Sequence, residues 1–154
     1  MMDVKRLQSQ QYQHDMRNHF DILSLSRADR LKHYGLHFSK YAGRLARGEC
    51  EKIPVSQTAV DVLLVCLSSA NALNQKLEFL PCSEKAEVVN FTDYAGRFAD
   101  ACEKIDHLES FRDIALEANQ LIFGWVLKYY QEDSASISES LAKRREELSD
   151  RAVY

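Results

Sequence analysis

The chain has 154 residues, with 20 Lys and Arg against 23 Asp and Glu and a formal net charge of −3. That balance excludes general attraction to nucleic acid or to an anionic membrane surface, so any anion site must be a local gathering of cations. Five Gly and two Pro leave few turns, while Leu, Ala, Lys, Arg, Glu and Gln dominate, and this composition predicts an all-α protein.

A chain of this length forms one domain, here 1–154, and buries roughly 70% of its unfolded surface, so it needs neither a metal nor a disulfide staple. The start, Met1 to Gln10, carries basic residues with no apolar stretch behind them and does not read as a secretory signal. The longest apolar run, Val60–Leu67, is short and interrupted by Asp61, so no membrane span is expected and the localisation read is cytoplasmic. Cys50, Cys66, Cys82 and Cys102 lie 16, 16 and 20 residues apart, without zinc spacing, and read as reduced structural thiols.

In chain order, a polar-rich first helix is expected over about 3–23. Ser26, with Asp29 three residues on, forms a capping box that opens a second helix. Its Leu31, Tyr34, Phe38, Tyr41 and Leu45 recur at three- and four-residue steps, the spacing of one buried face, and Gly48 ends it. After Pro54, with Ser56 as cap, a third helix is apolar on nearly every side and should be central. Leu80-Pro81-Cys82-Ser83 breaks the chain, and Ser83 or Thr92 starts a fourth helix with Phe91, Tyr94, Phe98, Cys102 and Ile105 as its stripe. A fifth, about 107–131, buries Phe111, Ile114, Ala118, Leu121, Ile122 and Trp125. A thinly apolar terminal helix follows over about 136–150, expected to need a partner for order.

The segment 38–46 returns at 91–99 as a near copy, and each copy is followed by Cys-Glu-Lys-Ile, at 50–53 and 102–105. Repetition at 53 residues predicts two related helical hairpins, about 26–76 and 83–131, that bury a shared face. The expected architecture is an internally duplicated four-helix bundle with additional terminal helices. Gly43 and Gly96 sit inside these helices, where glycine costs about 1 kcal/mol relative to Ala, so a packing reason is expected for both.

The second helix also carries His33, His37, Lys40, Arg44 and Arg47 at steps of four, three, four and three, a basic stripe beside its apolar face. Asp106, Glu109, Asp113 and Glu117 form an acidic counterpart. Each stripe reads as a solvated face; the basic one also reads as a grip for a phosphate-bearing ligand through charge-assisted bonds, or as a dock for the acidic stripe of a second subunit. His33-x-x-x-His37 has chelating spacing but no third ligand, and no metal is assigned to it. Both imidazoles are expected to gain charge between pH 8 and pH 6 if their pKa values lie near about 6.5.

Lys40-Tyr41-Ala42-Gly43-Arg44-Leu45, followed on the next helix by Asp61 and an apolar run to Asn71, resembles the MazG-like all-α nucleotide pyrophosphohydrolases over 31–75. In that family a Glu-Glu-x-x-Glu motif and a following Glu-x-x-Asp hold Mg²⁺ over a nucleoside triphosphate and release pyrophosphate. Here Lys40, Tyr41 and Arg44 stand at the first three acids and Thr58 at the fourth, leaving Asp61 alone. Mg²⁺ needs hard oxygen ligands, which Lys and Arg do not supply. Lys143-Arg144-Arg145 is similar to the family's later basic segment, where such residues meet phosphate; its other reading is a helix surface.

The resemblance therefore implies a non-catalytic MazG-like binding protein without cofactor, taking a nucleotide-like or other anionic ligand, or a protein partner, through His33, His37, Lys40, Tyr41, Arg44 and Asp61. Two alternatives stand beside it. One is a nucleoside triphosphate pyrophosphohydrolase using Mg²⁺ on a rearranged site of Asp61, Asp93 and Asp113. The other is a structural homo-oligomer, such as a homodimer with matched charged stripes.

Overall fold

The computed structural model describes residues 3–80, 85–133 and 135–151, and the regular structure among them is helical: α1 Val4–Asn18, α2 Phe20–Leu23, α3 Arg27–Arg47, α4 Val55–Leu73, α5 Val88–Asp106, α6 Arg112–Asp133 and α7 Ile137–Arg151, with one 3₁₀ turn at Gly48–Cys50. The fold is all-α. Cys82 and Ser83 lie outside the described residues.

Helix boundaries follow local chemistry and correct the sequence reading in four places. The first helix is broken in two at His19, whose backbone (φ −137°, ψ 38°) leaves helical geometry. Asn18 contributes to the break, because its amide donates to the His14 carbonyl at 3.1 Å and competes with the backbone ladder. Ser26 does cap α3, its Oγ accepting the Asp29 N–H at 3.1 Å, and Gly48 ends that helix with φ 53°. At α4 the cap position is Pro54, whose carbonyl accepts from Gln57 and Thr58 at 3.0 and 3.1 Å, so Ser56 falls inside the first turn. Thr92 likewise lies within α5 and donates its hydroxyl to the Val88 carbonyl at 2.8 Å. The fifth helix starts at Arg112 rather than 107, because α5 ends in a left-handed turn at Leu108 (φ 56°) that directs the Glu109 N–H back to the Lys104 carbonyl at 2.9 Å.

Helices α3, α5, α6 and α4 pack in a ring, each against the next, and α1 and α7 both lie on α4. This placement explains the all-round apolar character of α4: it has neighbours on four sides, and Val62, Leu63, Cys66 and Leu67 have no exposed surface. By length and composition α4 also reaches the measure of a membrane span, but its apolar surface is covered by the bundle. Phe38 of α3 meets Phe98 of α5 edge to face at 5.0 Å, and Phe91 of α5 meets Trp125 of α6 at 5.1 Å. Such buried rings contribute about 1.5–3 kcal/mol each by transfer.

The glycine that lets helices approach is Gly35, where a Cβ would stand 3.1 Å from the Cys102 sulfur. Gly96 faces open space and Gly43 meets only Arg47 of its own helix, so the packing role expected for that pair is not found. The terminal helix packs within the chain: Leu141 is buried in the common core and Arg144 on α4.

Candidate functional site

All six residues singled out from the sequence, His33, His37, Lys40, Tyr41, Arg44 and Asp61, line one cavity of about 320 Å³. Helix α3 forms one wall with five of them. Helix α4 forms the floor with Asp61, Leu64, Val65 and Ser68, and α1 contributes Gln11, His14 and Asp15. The break after α1 brings His19 and Ile22 to the same space, and α7 closes it with Arg144, Leu148 and Arg151.

One end is cationic. Asp61 accepts from Arg144 Nε at 2.7 Å and Nη2 at 3.3 Å, and from Arg44 Nη1 at 3.3 Å. Two guanidinium groups thus share one carboxylate, and all three side chains are largely buried. Lys40 adds a third cation, which makes no ion pair among the described residues. Its ammonium is held below its usual range first by desolvation and then by Arg44. Both Lys40 and Arg44 stand over the Tyr41 ring, at 4.9 and 5.3 Å from its centre. The helix-surface reading of Arg144 is overturned, since only 8% of its side chain is exposed.

Next along α3 is an imidazole pair. His37 Nε2 and His33 Nε2 are 3.1 Å apart, while His37 Nδ1 faces Lys40 Nζ at 3.1 Å and Tyr41 Oη at 3.3 Å. An ammonium only donates, so His37 accepts at Nδ1, carries its proton on Nε2 and donates it to His33. Burial first, then Lys40 and His33, lowers the His37 pKa to about 4, and burial lowers that of His33. His37 is therefore neutral throughout pH 6–8, which corrects the expectation that both rings gain charge there.

The other end holds a buried hydrogen-bond network around Asp15. Ser68 Oγ donates to Asp15 Oδ2 at 2.6 Å, Gln11 Nε2 donates to Asp15 Oδ1 at 2.9 Å, and Arg145 Nε donates to Gln11 Oε1 at 3.0 Å. Burial raises the Asp15 pKa, against these two donors to its carboxylate. His14, 3% exposed, is held at about 4 by burial first and then by His19. Its Nε2 has no partner among the described residues.

The remaining stripe positions do not join. Arg47 turns away to Glu51 at 2.6 Å. The acidic series is satisfied mostly within the chain, Asp106 by Lys32, Glu109 by Lys104 and Glu117 by Arg97. Asp93 is exposed and pairs with Arg97, and Asp113 is exposed at the start of α6, so neither meets Asp61 in a metal-holding group. Thr58 is buried. The Cys66 thiol is pushed far up by burial, and that of Cys102 to about 11, so neither is a ready nucleophile.

The sequence reading missed the α1 contribution. Its signal was present: Val4, Leu7, Gln11 and His14 follow the three- and four-residue steps of a buried stripe, with polar residues in its last two places. A polar group at a core position requires a partner or a ligand. No protein family, curated protein or solved structure matches this chain.

Proposed function

We propose that the protein is a non-catalytic helical binding protein whose cavity takes a phosphate-bearing, nucleotide-like anion. One observation carries the reading: Lys40, Arg44 and Arg144 gather around Asp61 in a half-open cavity, with Glu147 as a second carboxylate on Arg144 at 2.9 Å. Three cations against two carboxylates, Asp61 and Glu147, leave one positive charge, that of the unpaired Lys40, where water is partly excluded, and an anion entering there gains charge-assisted hydrogen bonds. The cavity volume lies at the small-molecule end of the range for ligand sites, about 300–1,000 Å³.

The MazG-like resemblance fits this reading in a reduced form. The positions that would hold Mg²⁺ in that family carry a lysine, a tyrosine, an arginine and a buried threonine, and Asp61 is engaged by two arginines. The hairpins α3–α4 and α5–α6 would then be related units, of which the first carries the cationic cavity.

Isothermal calorimetry with pyrophosphate tests the reading. The wild type is expected to bind, more weakly as salt rises, and Lys40→Glu to reduce affinity at least tenfold. Unchanged affinity in that variant, or no binding by the wild type, removes the cationic end from function. Magnesium-dependent release of pyrophosphate from nucleoside triphosphates, lost in Asp61→Asn, would establish the enzyme alternative instead.

A further inference from the structure

Lys40 and His37 form a pair that anion binding does not require. The Lys40 amine lies 3.1 Å from His37 Nδ1, and the other nitrogen of that ring, Nε2, lies 3.1 Å from His33 Nε2. Lys40 can only donate, so His37 accepts from it at Nδ1 and donates from Nε2 to His33. An amine bonded to a neutral base that is itself oriented by a third group is the arrangement of an activated nucleophile. The surroundings weaken the hold of the amine on its proton. Asp61 is bonded to Arg44 and Arg144, Glu147 is bonded to Arg144, and neither carboxylate bonds Lys40 among the described residues. Desolvation and the Arg44 charge, one helical turn on, act against its ammonium form. Lys40 lines the cavity and is itself exposed, so a small solute reaches it.

Two further groups suit a carbonyl compound. Tyr41 Oη is 3.3 Å from the same His37 Nδ1, so hydroxyl and amine converge there. Burial pushes the Tyr41 hydroxyl above its usual range, and it stays a proton donor. Arg44 gives only Nη1 to Asp61, and its Nε and Nη2 bond nothing among the described residues. Those N–H groups can hold an anionic group beside the Lys40 amine.

We propose that Lys40 forms an imine with a small aldehyde or ketone that carries an anionic group close to its carbonyl, with His37 as proton acceptor, Tyr41 as proton donor and Arg44 as the anion holder. The inference rests on the anion reading for the group on Arg44 and goes beyond it in the covalent bond. The Lys40 ammonium passes one proton to His37 Nδ1 while His37 passes its Nε2 proton to His33, and the amine lone pair forms the N–C bond. The carbonyl π pair moves to oxygen. Tyr41 gives that oxygen a proton and takes one from the nitrogen, which leaves a carbinolamine. The nitrogen lone pair then expels the hydroxyl, which departs as water with the proton returned through His37, and a protonated imine remains. Nothing is oxidised or reduced.

Reductive trapping on the full chain tests it. Pyruvate, glycolaldehyde phosphate and acetone are each incubated with the protein and sodium cyanoborohydride, and peptide mass spectrometry reads the labelling rate at every lysine. Pyruvate brings a carboxylate, glycolaldehyde phosphate a phosphate, and acetone neither. At least one anionic probe is expected to label Lys40 at least tenfold faster than any other lysine, the faster of the two naming the anion, whereas acetone should show no preference. Lys40→Arg keeps the charge and should lose the selective label; His37→Asn should bring Lys40 down to the rate of the other lysines. Uniform labelling by both anionic probes overturns the inference, and binding of pyrophosphate in calorimetry would leave the anion reading standing. A Lys40 preference shown equally by acetone, or one that survives His37→Asn, also overturns it, the first by removing Arg44 and the second by removing the proton path. Selective labelling by pyruvate alone, with no binding of pyrophosphate, upholds the imine and overturns the phosphate reading.

Discussion

The two nonapeptide copies, on α3 and α5, place the same residue types at the same helical phase, and their arginines behave differently. Arg97 has Asp93 four residues before it, and the two form an exposed pair at 3.1 Å with 50% and 52% of their side chains accessible. Arg44 has Lys40 at the corresponding position. Like charges at that spacing repel, so Arg44 turns to Asp61 on the next helix, where the side chains are 15% and 9% accessible. One substitution in a repeated segment thus separates a self-neutralised surface from a cavity with unspent positive charge. His33 and His37 sharpen the contrast, since the second copy has Ala86 and Asn90 in their places.

The comparison is broken most severely at Asp61. Removing its charge leaves the largely buried Arg44 without an ion pair and Arg144 with Glu147 alone, and Asp61→Asn is expected to cost about 3 kcal/mol, lowering the thermal midpoint by roughly 6–12 °C at this chain length. Asp93→Asn in the exposed copy should leave the midpoint unchanged. Equal effects in calorimetric melting would erase the difference between the copies.

Acid gives a second separation. His37 is neutral in the folded protein down to a pKa of about 4, against 6.5 unfolded. The unfolded chain therefore binds the proton first, and stability is full above pH 6.5 and falls as the pH drops towards 4. Each such histidine contributes at most about 1.4 kcal/mol per pH unit within the window, reduced by solvent in the cavity to on the order of 1 kcal/mol overall. His14 adds in the same direction. Denaturant melts of His37→Asn, which copies Asn90, should show a shallower loss between pH 6.5 and 4.5; an identical slope would remove His37 as a source.

The smallest effect tests the glycines. Gly96→Ala, with open space around the new methyl, should gain about 1 kcal/mol from helix propensity. At Gly43 a Cβ would stand 3.2 Å from the Arg47 guanidinium, so Gly43→Ala should gain less. A loss at Gly96 would mean that the second copy packs against something in solution. Chemical denaturation curves resolve both.

Much of this organisation was legible beforehand. The apolar steps of Leu31, Tyr34, Phe38, Tyr41 and Leu45 set the buried face of α3, and the all-round apolar character of α4 marked it as central. The period of a helix acts within one segment, so a linear reading captures it. The same period gathered His33, His37, Lys40, Tyr41 and Arg44 on one side, and all five reach the cavity.

What a linear reading missed depends on encounters across long separations. Arg144 meets Asp61 across 83 residues, and Ser68 meets Asp15 across 53. Helical phase says which residues share a face, but not which other face that one will meet. The sequence by itself determined the all-α class, the buried stripes, most helix limits and the charge change between the copies, because these follow from propensity and periodicity. Only the tertiary structure decided that α1 and α7 close over the first copy. There, packing of helices distant in sequence turns a row of cations on one surface into the wall of a cavity.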